Sequence, residues 1–163
     1  MLTLGKDASP PAYRPPPLYT GNRTLDKVLA VWYGACDGSG PPSWEDMSDL
    51  IWHPWFVHLV VVESCHRMKP ARCVAVFPVA AVLLGLPLYG FGGVLPMDNP
   101  RTAELSSLTR VVSMRRRMVF RKLPEKATPA GIGGRPLVAG VPLASACGVE
   151  RVLFTVVNPG ASG

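Results

Sequence analysis

The longest uncharged stretch of the sequence, residues 73–97, decides whether the chain spans a membrane or folds around a buried core. It reads CVAVFPVAAVLLGLPLYGFGGVLPM, and about 20 apolar residues are enough for a transmembrane helix. Three prolines divide it, at Pro78, Pro87 and Pro96, and glycines lie between them. A continuous helix would leave backbone groups unbonded in hydrocarbon, so we predict no membrane span. The stretch instead predicts a buried strand, a short helix and a turn.

The remaining composition favours one globular domain with loose ends. A chain of 163 residues, 48% of them hydrophobic, is long enough to bury a single core. Prolines crowd the amino end, which predicts a Pro-rich flexible arm over residues 1–21, a single domain over 22–158 and a flexible tail over 159–163. The four cysteines have no C-x-x-C spacing and no secretory signal precedes them, so we expect free thiols and a cytoplasmic location.

Positive charge is concentrated in one segment, residues 101–126. It holds eight basic residues and two acidic ones, which accounts for the net charge of +6 of the whole chain. The sharpest cluster is Arg115, Arg116 and Arg117. Such a segment can bind an acidic protein partner, or it can be a solvated surface. Nucleic-acid binding is disfavoured, because aromatic side chains are not interleaved with the cations.

Near the amino end, the spacing of four apolar residues predicts an amphipathic helix. Leu25, Val28, Leu29 and Trp32 recur at i, i+3, i+4 and i+7, so they share one face, with Asn22 or Thr24 as N-cap and an end near Gly34. If this face were undocked, it would be the natural surface for a homodimer or a signalling partner.

The rest of the chain predicts strands and short helices in a fixed order. After a short helix over 43–51, a hairpin of two strands over 56–63 and 72–77 leads into a short helix over 79–84. A helix capped by Asn99 should begin at Pro100 and end near Met114. Three more strands are predicted over 118–123, 137–143 and 151–157, with Pro142 at a bulge or a sheet edge.

This order predicts an α+β fold, namely a five-stranded antiparallel sheet with helices on one face and an N-terminal amphipathic helix. Four segments stand out within this order, namely LDKVLAVWYGAC (25–36), HPWFVHLVVVE (53–63), LLGLPLYG (83–90) and PLASACGVERVLFTVV (142–157). Through these segments, over residues 25–157, the chain resembles a bacterial family of PAS-like domains. One departure is Phe77-Pro78-Val79-Ala80, which stands where such domains usually have a polar Gly-Thr step.

The resemblance implies a cytoplasmic sensory or adaptor domain in signal transduction, which binds a small ligand or a protein partner. We expect no output domain after residue 157, so its effect would come through association. A ligand pocket would lie between the sheet and the helices over 79–112, lined by Phe77, Val82, Leu84, Leu86, Tyr89, Leu108 and Phe154. The alternative is a ligand-free interaction module that acts through the basic segment 101–126.

No residues stand out as catalytic or metal-binding, so we expect no enzyme activity. His66 adjoins Cys65 and precedes Cys73, but the paired spacing of structural zinc sites is missing. A haem bound as in some PAS-like domains would need a histidine within 79–114, where the sequence has none, so haem is disfavoured. Flavin is disfavoured as well, because no reactive cysteine in an Asn-Cys-Arg context occurs there.

Overall fold

A computed structural model describes residues 19–65, 71–87, 93–125, 134–146 and 149–159 of the chain. The described helices are α1 (Arg23–Ala35), two 3-10 helices (Glu45–Trp52 and Pro54–His58), α2 (Pro78–Leu84) and α3 (Pro100–Arg115). The described strands are β1 (Leu59–Cys65), β2 (Arg72–Val76), β3 (Val119–Lys122), β4 (Leu137–Ala146) and β5 (Val149–Val157). Most of the predicted arm and tail lie outside the described residues.

The described strands form one antiparallel sheet in the order β2-β1-β5-β4-β3. The hairpin of β1 and β2 pairs through β1 with β5, where Val61 lies opposite Leu153. β5 continues through β4 to β3, where Phe120 lies opposite Ala139. The predicted α+β fold with a five-stranded antiparallel sheet is therefore confirmed, and β2 and β3 are its edge strands.

Helices cover both faces of the sheet. Side chains alternate between the faces along each strand, and here both faces carry apolar residues that helices bury. On one face, Val60 and Phe154 pack with Leu84 of α2 and Leu105 of α3. On the other face, α1 and the first 3-10 helix pack against a separate set of strand residues. Helices were predicted on one face of the sheet, and α2 and α3 do lie on one face. The N-terminal helix α1 is the addition that closes the opposite face.

The inner strand β1 begins three residues later than predicted. Leu59 to Val62 are fully buried, since this strand has a neighbour on each side and helices on each face. Phe56, Val57 and His58, which were predicted to open the strand, belong to the 3-10 helix that starts at Pro54. Proline at the first helical position fixes a helical φ, which here overrides the strand preference of the aromatic and β-branched residues.

Residues 73–97 divide as the proline spacing predicts. They contribute β2, then α2 with Pro78 in its first turn, and a segment over 93–97, whereas residues 88–92 lie outside the described part. Gly85 ends α2 in a left-handed conformation with a φ of 70°, which suits glycine because it lacks a Cβ. In the part of the chain that the structure describes, no helix combines the length and the apolar character needed to cross a bilayer.

Pro142 lies inside β4, in the part of that strand that extends beyond the end of its neighbour β3. The β3–β4 pairing ends at Gly140, so from there on no strand in the described part of the chain pairs with this edge of β4. The Trp32 indole donates to the Pro142 carbonyl at 2.8 Å, and the Ala144 amide donates to the Pro42 carbonyl at 2.8 Å. The local edge position is why a proline, which has no N–H to donate, is tolerated in a strand of ten residues.

Candidate functional site

The basic segment forms an exposed surface at the C-terminal end of α3 and along β3. We call it the basic surface. Its cations, all of them exposed, are Arg110, Arg115, Arg116, Arg117, Arg121 and Lys122. Two apolar side chains are interspersed among them, Met114 with 80% and Phe120 with 40% of their area exposed. The surface thus combines positive charge with apolar contact area, as protein-binding surfaces do.

Few acidic side chains balance this charge. Among the described residues, Arg110, Arg115, Arg117, Arg121 and Lys122 have no carboxylate within ion-pair distance. Unbalanced charges of one sign at the surface create a potential that attracts a partner of the opposite sign. This surface can therefore attract acidic groups.

The backbone at the centre of the basic surface is strained. Arg116 ends α3 with a φ of 52°, and it is the residue outside glycine that has a positive φ in the described part of the chain. A left-handed conformation costs a residue with a Cβ about 1–2 kcal/mol. This left-handed residue turns the chain from α3 into the edge strand β3. The arginines of the turn are therefore followed directly by the cations of β3 at this edge of the sheet.

Two basic residues of segment 101–126 do not belong to this surface. Arg101 is only 3% exposed, and its guanidinium donates to the carbonyls of Leu83, Pro124 and Gly134. Its burial lowers the pKa of the guanidinium. Arg101 therefore adds no exposed charge to segment 101–126, because it ties the C-terminal end of α2 to the end of β3 and to the residues before β4. Lys126 lies outside the described residues.

The predicted partner face of α1 is docked in the structure. Leu25, Val28, Leu29 and Trp32 are buried against the sheet, in the same core as Leu153. The helix begins after Asn22, whose side chain accepts from the amides of Thr24 and Leu25 at 3.1 Å each. A face that fills the core of its own domain is not available to a second protein in this conformation.

The residues predicted to line a ligand pocket are split between several places. Leu84, Leu108 and Phe154 are buried together and fill the space between the sheet and the helices α2 and α3. Val82 is 70% exposed, and Phe77 packs on the opposite face, edge-on to Phe56 with ring centroids 5.4 Å apart. The structure thus contradicts the pocket positions of Val82 and Phe77, because the α2 turn points Val82 outward and strand alternation turns Phe77 away. Tyr89 lies outside the described residues.

A small apolar cavity lies beside β2, at the edge of the predicted pocket region. It has a volume of about 100 Å³, and its lining includes Leu86 from the predicted set. The other lining residues are Cys73, Val76, Pro87, Gly93, Val94, Leu95 and Pro96. Burial raises the pKa of the Cys73 thiol to about 11, so the thiol is neutral and unreactive at ordinary pH.

A larger cleft of about 330 Å³ lies beside β4, β5 and the C-terminal end of α3, and no sequence pattern predicted it. Its lining combines apolar and charged residues: Pro41, Ser113, Arg116, Pro142, Leu143, Glu150 and Arg151. The Ser113 hydroxyl is buried without a hydrogen-bond partner in the described part of the chain. Arg151 lies 3.7 Å from the Glu63 carboxylate and 4.0 Å from that of Glu45, so charges of both signs meet near the cleft.

The histidines have structural contacts where they are described. His58 Nδ1 lies 3.0 Å from the Val156 carbonyl, and the His53 ring stacks on Trp55 with centroids 4.6 Å apart. His66 and the side chain of Cys65 are outside the described part. Within the residues that the structure describes, no three His, Cys, Asp or Glu side chains are grouped as metal ligands would be.

Comparison with solved structures adds one finding about the fold. The structure is similar to the PAS domain of the histidine kinase ThkA, with 18% identity over 62% of this chain and 97% of that one, at a TM-score of 0.45. The PAS domain of BvgS from Bordetella pertussis matches 71% of this chain and 89% of its own, with 11% identity and a TM-score of 0.45.

A fungal LOV domain photoreceptor is similar as well, with 14% identity over 65% of this chain and 77% of that one, at a TM-score of 0.44. No family model and no curated protein matches the sequence. These PAS-like likenesses concern the fold alone, since the identities reach at most 18%.

Proposed function

We propose that this protein is a PAS-like adaptor domain in signal transduction, which acts by binding an acidic protein partner through the basic surface. The observation that carries the proposal is the exposure of Arg115, Arg117, Arg121 and Lys122, which have no carboxylate within ion-pair distance among the described residues, next to exposed Met114 and Phe120. The space between the sheet and α2 and α3 is filled by side chains, which favours surface recognition over ligand sensing.

Association through such a surface has a specific electrostatic signature. Attraction between exposed charges is screened beyond about 8–10 Å at physiological salt, so added salt should weaken binding and slow association. The contribution of each cation is modest, and several must act together to select the partner.

The test is a charge reversal with a matched control. The variant with Arg115→Glu, Arg116→Glu and Arg117→Glu should lose partners that the unmodified protein captures from an extract of the cells that make it, measured by quantitative mass spectrometry. The control with lysine at the same three positions keeps the charge and should retain them. A capture profile that is the same in all three proteins would overturn the proposal.

A second candidate function is sensing of a small apolar molecule in the cavity beside β2. About 100 Å³ is below the roughly 300–1,000 Å³ of ordinary ligand pockets, so the ligand would be very small. Native mass spectrometry would show it as extra mass that is lost on denaturation. Leu86→Trp should fill the cavity and abolish that mass, whereas Leu84 is part of the packed core and is unsuitable for this test.

A further inference from the structure

The edges of a β-sheet carry unpaired backbone groups, and this protein covers most of its own. The outer edge of β2 is bonded where the Cys73 amide donates to the Gly93 carbonyl at 2.8 Å. The part of β4 that extends beyond β3 is also bonded along its outer edge: the Pro142 carbonyl accepts from Trp32, and the Ala144 amide donates to Pro42. Natural proteins cover edges in this way because an open edge is a template for another strand.

The outer edge of β3 is different. The Leu123 amide donates to the Pro136 carbonyl, so the backbone groups of Leu123 point toward β4. In an antiparallel strand the N–H and C=O groups of successive residues point to opposite sides, so those of Val119 and Arg121 also point toward β4. The N–H and C=O groups of Phe120 and Lys122 consequently point away from the sheet. No residue in the described part of the chain bonds to them.

We propose that the outer edge of β3 accepts an extended acidic segment of a partner protein as a sixth strand. This deepens the proposed function, on which it rests, by naming the form of the partner at the basic surface. Main-chain hydrogen bonds from Phe120 and Lys122 would hold the added strand, as in other proteins that bind a peptide at a sheet edge.

The side chains of β3 define the chemistry of that segment. Val119 and Arg121 lie on the face that α3 covers, and Phe120 and Lys122 lie on the other. A strand added here therefore meets one cation on each face, and opposite charges on neighbouring strands stabilise the pairing. Acidic side chains at successive positions of the partner satisfy both.

A second copy of this chain is the wrong occupant. Pairing β3 with β3 would bring Arg121 and Lys122 of one copy against those of the other, and like charges on neighbouring strands are destabilising. Cations on a short edge strand are a common device against such self-pairing. The same cations leave the edge open to a strand of the opposite charge.

The experiment uses the full chain and a synthetic peptide in which pairs of glutamates alternate with pairs of valines, so that each face of the added strand carries acidic side chains. We expect binding with a Kd below about 1 mM, and slower hydrogen exchange at the amides of Phe120 and Lys122, both followed by NMR. Phe120→Pro removes one outward N–H, and Phe120→Ala removes the side chain alone. The proline variant should bind the peptide at least about tenfold more weakly than the alanine variant.

The outcomes separate this inference from the function on which it rests. Equal binding by the proline and alanine variants, combined with loss of binding when Arg115–Arg117 are reversed to glutamate, overturns the sixth strand and leaves the basic surface in place. Loss of cell partners on charge reversal without any peptide binding has the same meaning. A version of the peptide with lysine for glutamate that binds equally well overturns the acidic partner, and so does dimerisation of the free protein through β3.

Discussion

The two edges of the sheet are built on opposite plans. β2 has a second segment of its own chain along its outer side, where the Leu95 amide donates to the Ala71 carbonyl at 2.9 Å and Leu95 itself is buried. β3 is four residues long, with exposed side chains from Phe120 to Lys122 and no described segment along its outer side. One edge is closed by apolar burial and hydrogen bonds, whereas the other carries exposed cations and has no covering segment among the described residues.

The difference teaches where this domain can accept a partner. A covered edge is stable, but it can bind a strand only after its own cover has been removed. A charged edge costs little stability and excludes copies of itself while it stays open to an acidic strand. Stability should therefore depend strongly on the β2 edge and very little on the β3 edge, and the predictions follow that gradient.

The largest effect is expected from the cover of β2. Leu95→Ala empties a fully buried site and should destabilise the domain by about 2–5 kcal/mol, as measured by urea unfolding. The Cys73 amide, which bonds to Gly93, should exchange faster. Val94→Ala is the matched control, because Val94 is 54% exposed in the same segment and its loss should cost little. Equal stability of the two variants would show that the cover does not hold this edge.

The next effect concerns the bare end of β4. Trp32→Phe keeps an aromatic ring in the core but leaves the Pro142 carbonyl without its donor. A buried carbonyl without a partner costs about 1–3 kcal/mol, and the lost ring volume adds to this. Thermal unfolding measures the loss, with Trp52→Phe as the control, since Trp52 is 83% exposed. A Trp32→Phe protein as stable as the control would contradict the role of the indole.

Much of this framework could be predicted from the sequence, because it rests on local rules. Asn99 and Pro100 open α3 as the capping pattern requires, with the Asn99 side chain accepting from the Arg101 amide at 3.0 Å. Ser43 and Asp46 are three residues apart, a spacing that predicts a capping box, and each accepts from the other's amide at 3.0 Å. The order of strands and helices followed from apolar spacing and from where prolines and glycines interrupt it.

The sequence could not predict which side chains meet across the fold. In the sequence, Arg101 is one of eight basic residues of segment 101–126. Only the structure shows that its guanidinium is bonded to carbonyls from three distant segments. The apolar stripe of α1 predicts burial, but not whether its own sheet or a second protein provides it. The split of Phe77 and Val82 from Phe154 depends on which strand face and helix face are turned inward. These are tertiary choices that spacing along the chain leaves open.

A smaller effect is expected from pH at the covered edge. Burial raises the pKa of Cys73 from 9.0 to about 11, so between these values the unfolded chain has lost a proton that the folded chain keeps. Stability from this group is therefore complete below pH 9 and falls as pH rises toward 11, by at most about 1.4 kcal/mol per pH unit. Urea unfolding across this range should show a flatter pH dependence in Cys73→Ala. Equal slopes in the two proteins would contradict the burial of the thiol.

The smallest effect is expected at the open edge, where a proline should be tolerated. Because the Phe120 N–H points away from β4, Phe120→Pro breaks no bond of the sheet, and its stability should be within about 0.5 kcal/mol of that of Phe120→Ala. Arg121→Pro removes an amide that faces β4, so it should be clearly less stable than Arg121→Ala. Chemical unfolding of the four variants measures the contrast. A proline that harms both positions equally would mean that β3 has a covered outer edge, and the two edges of the sheet would then be alike.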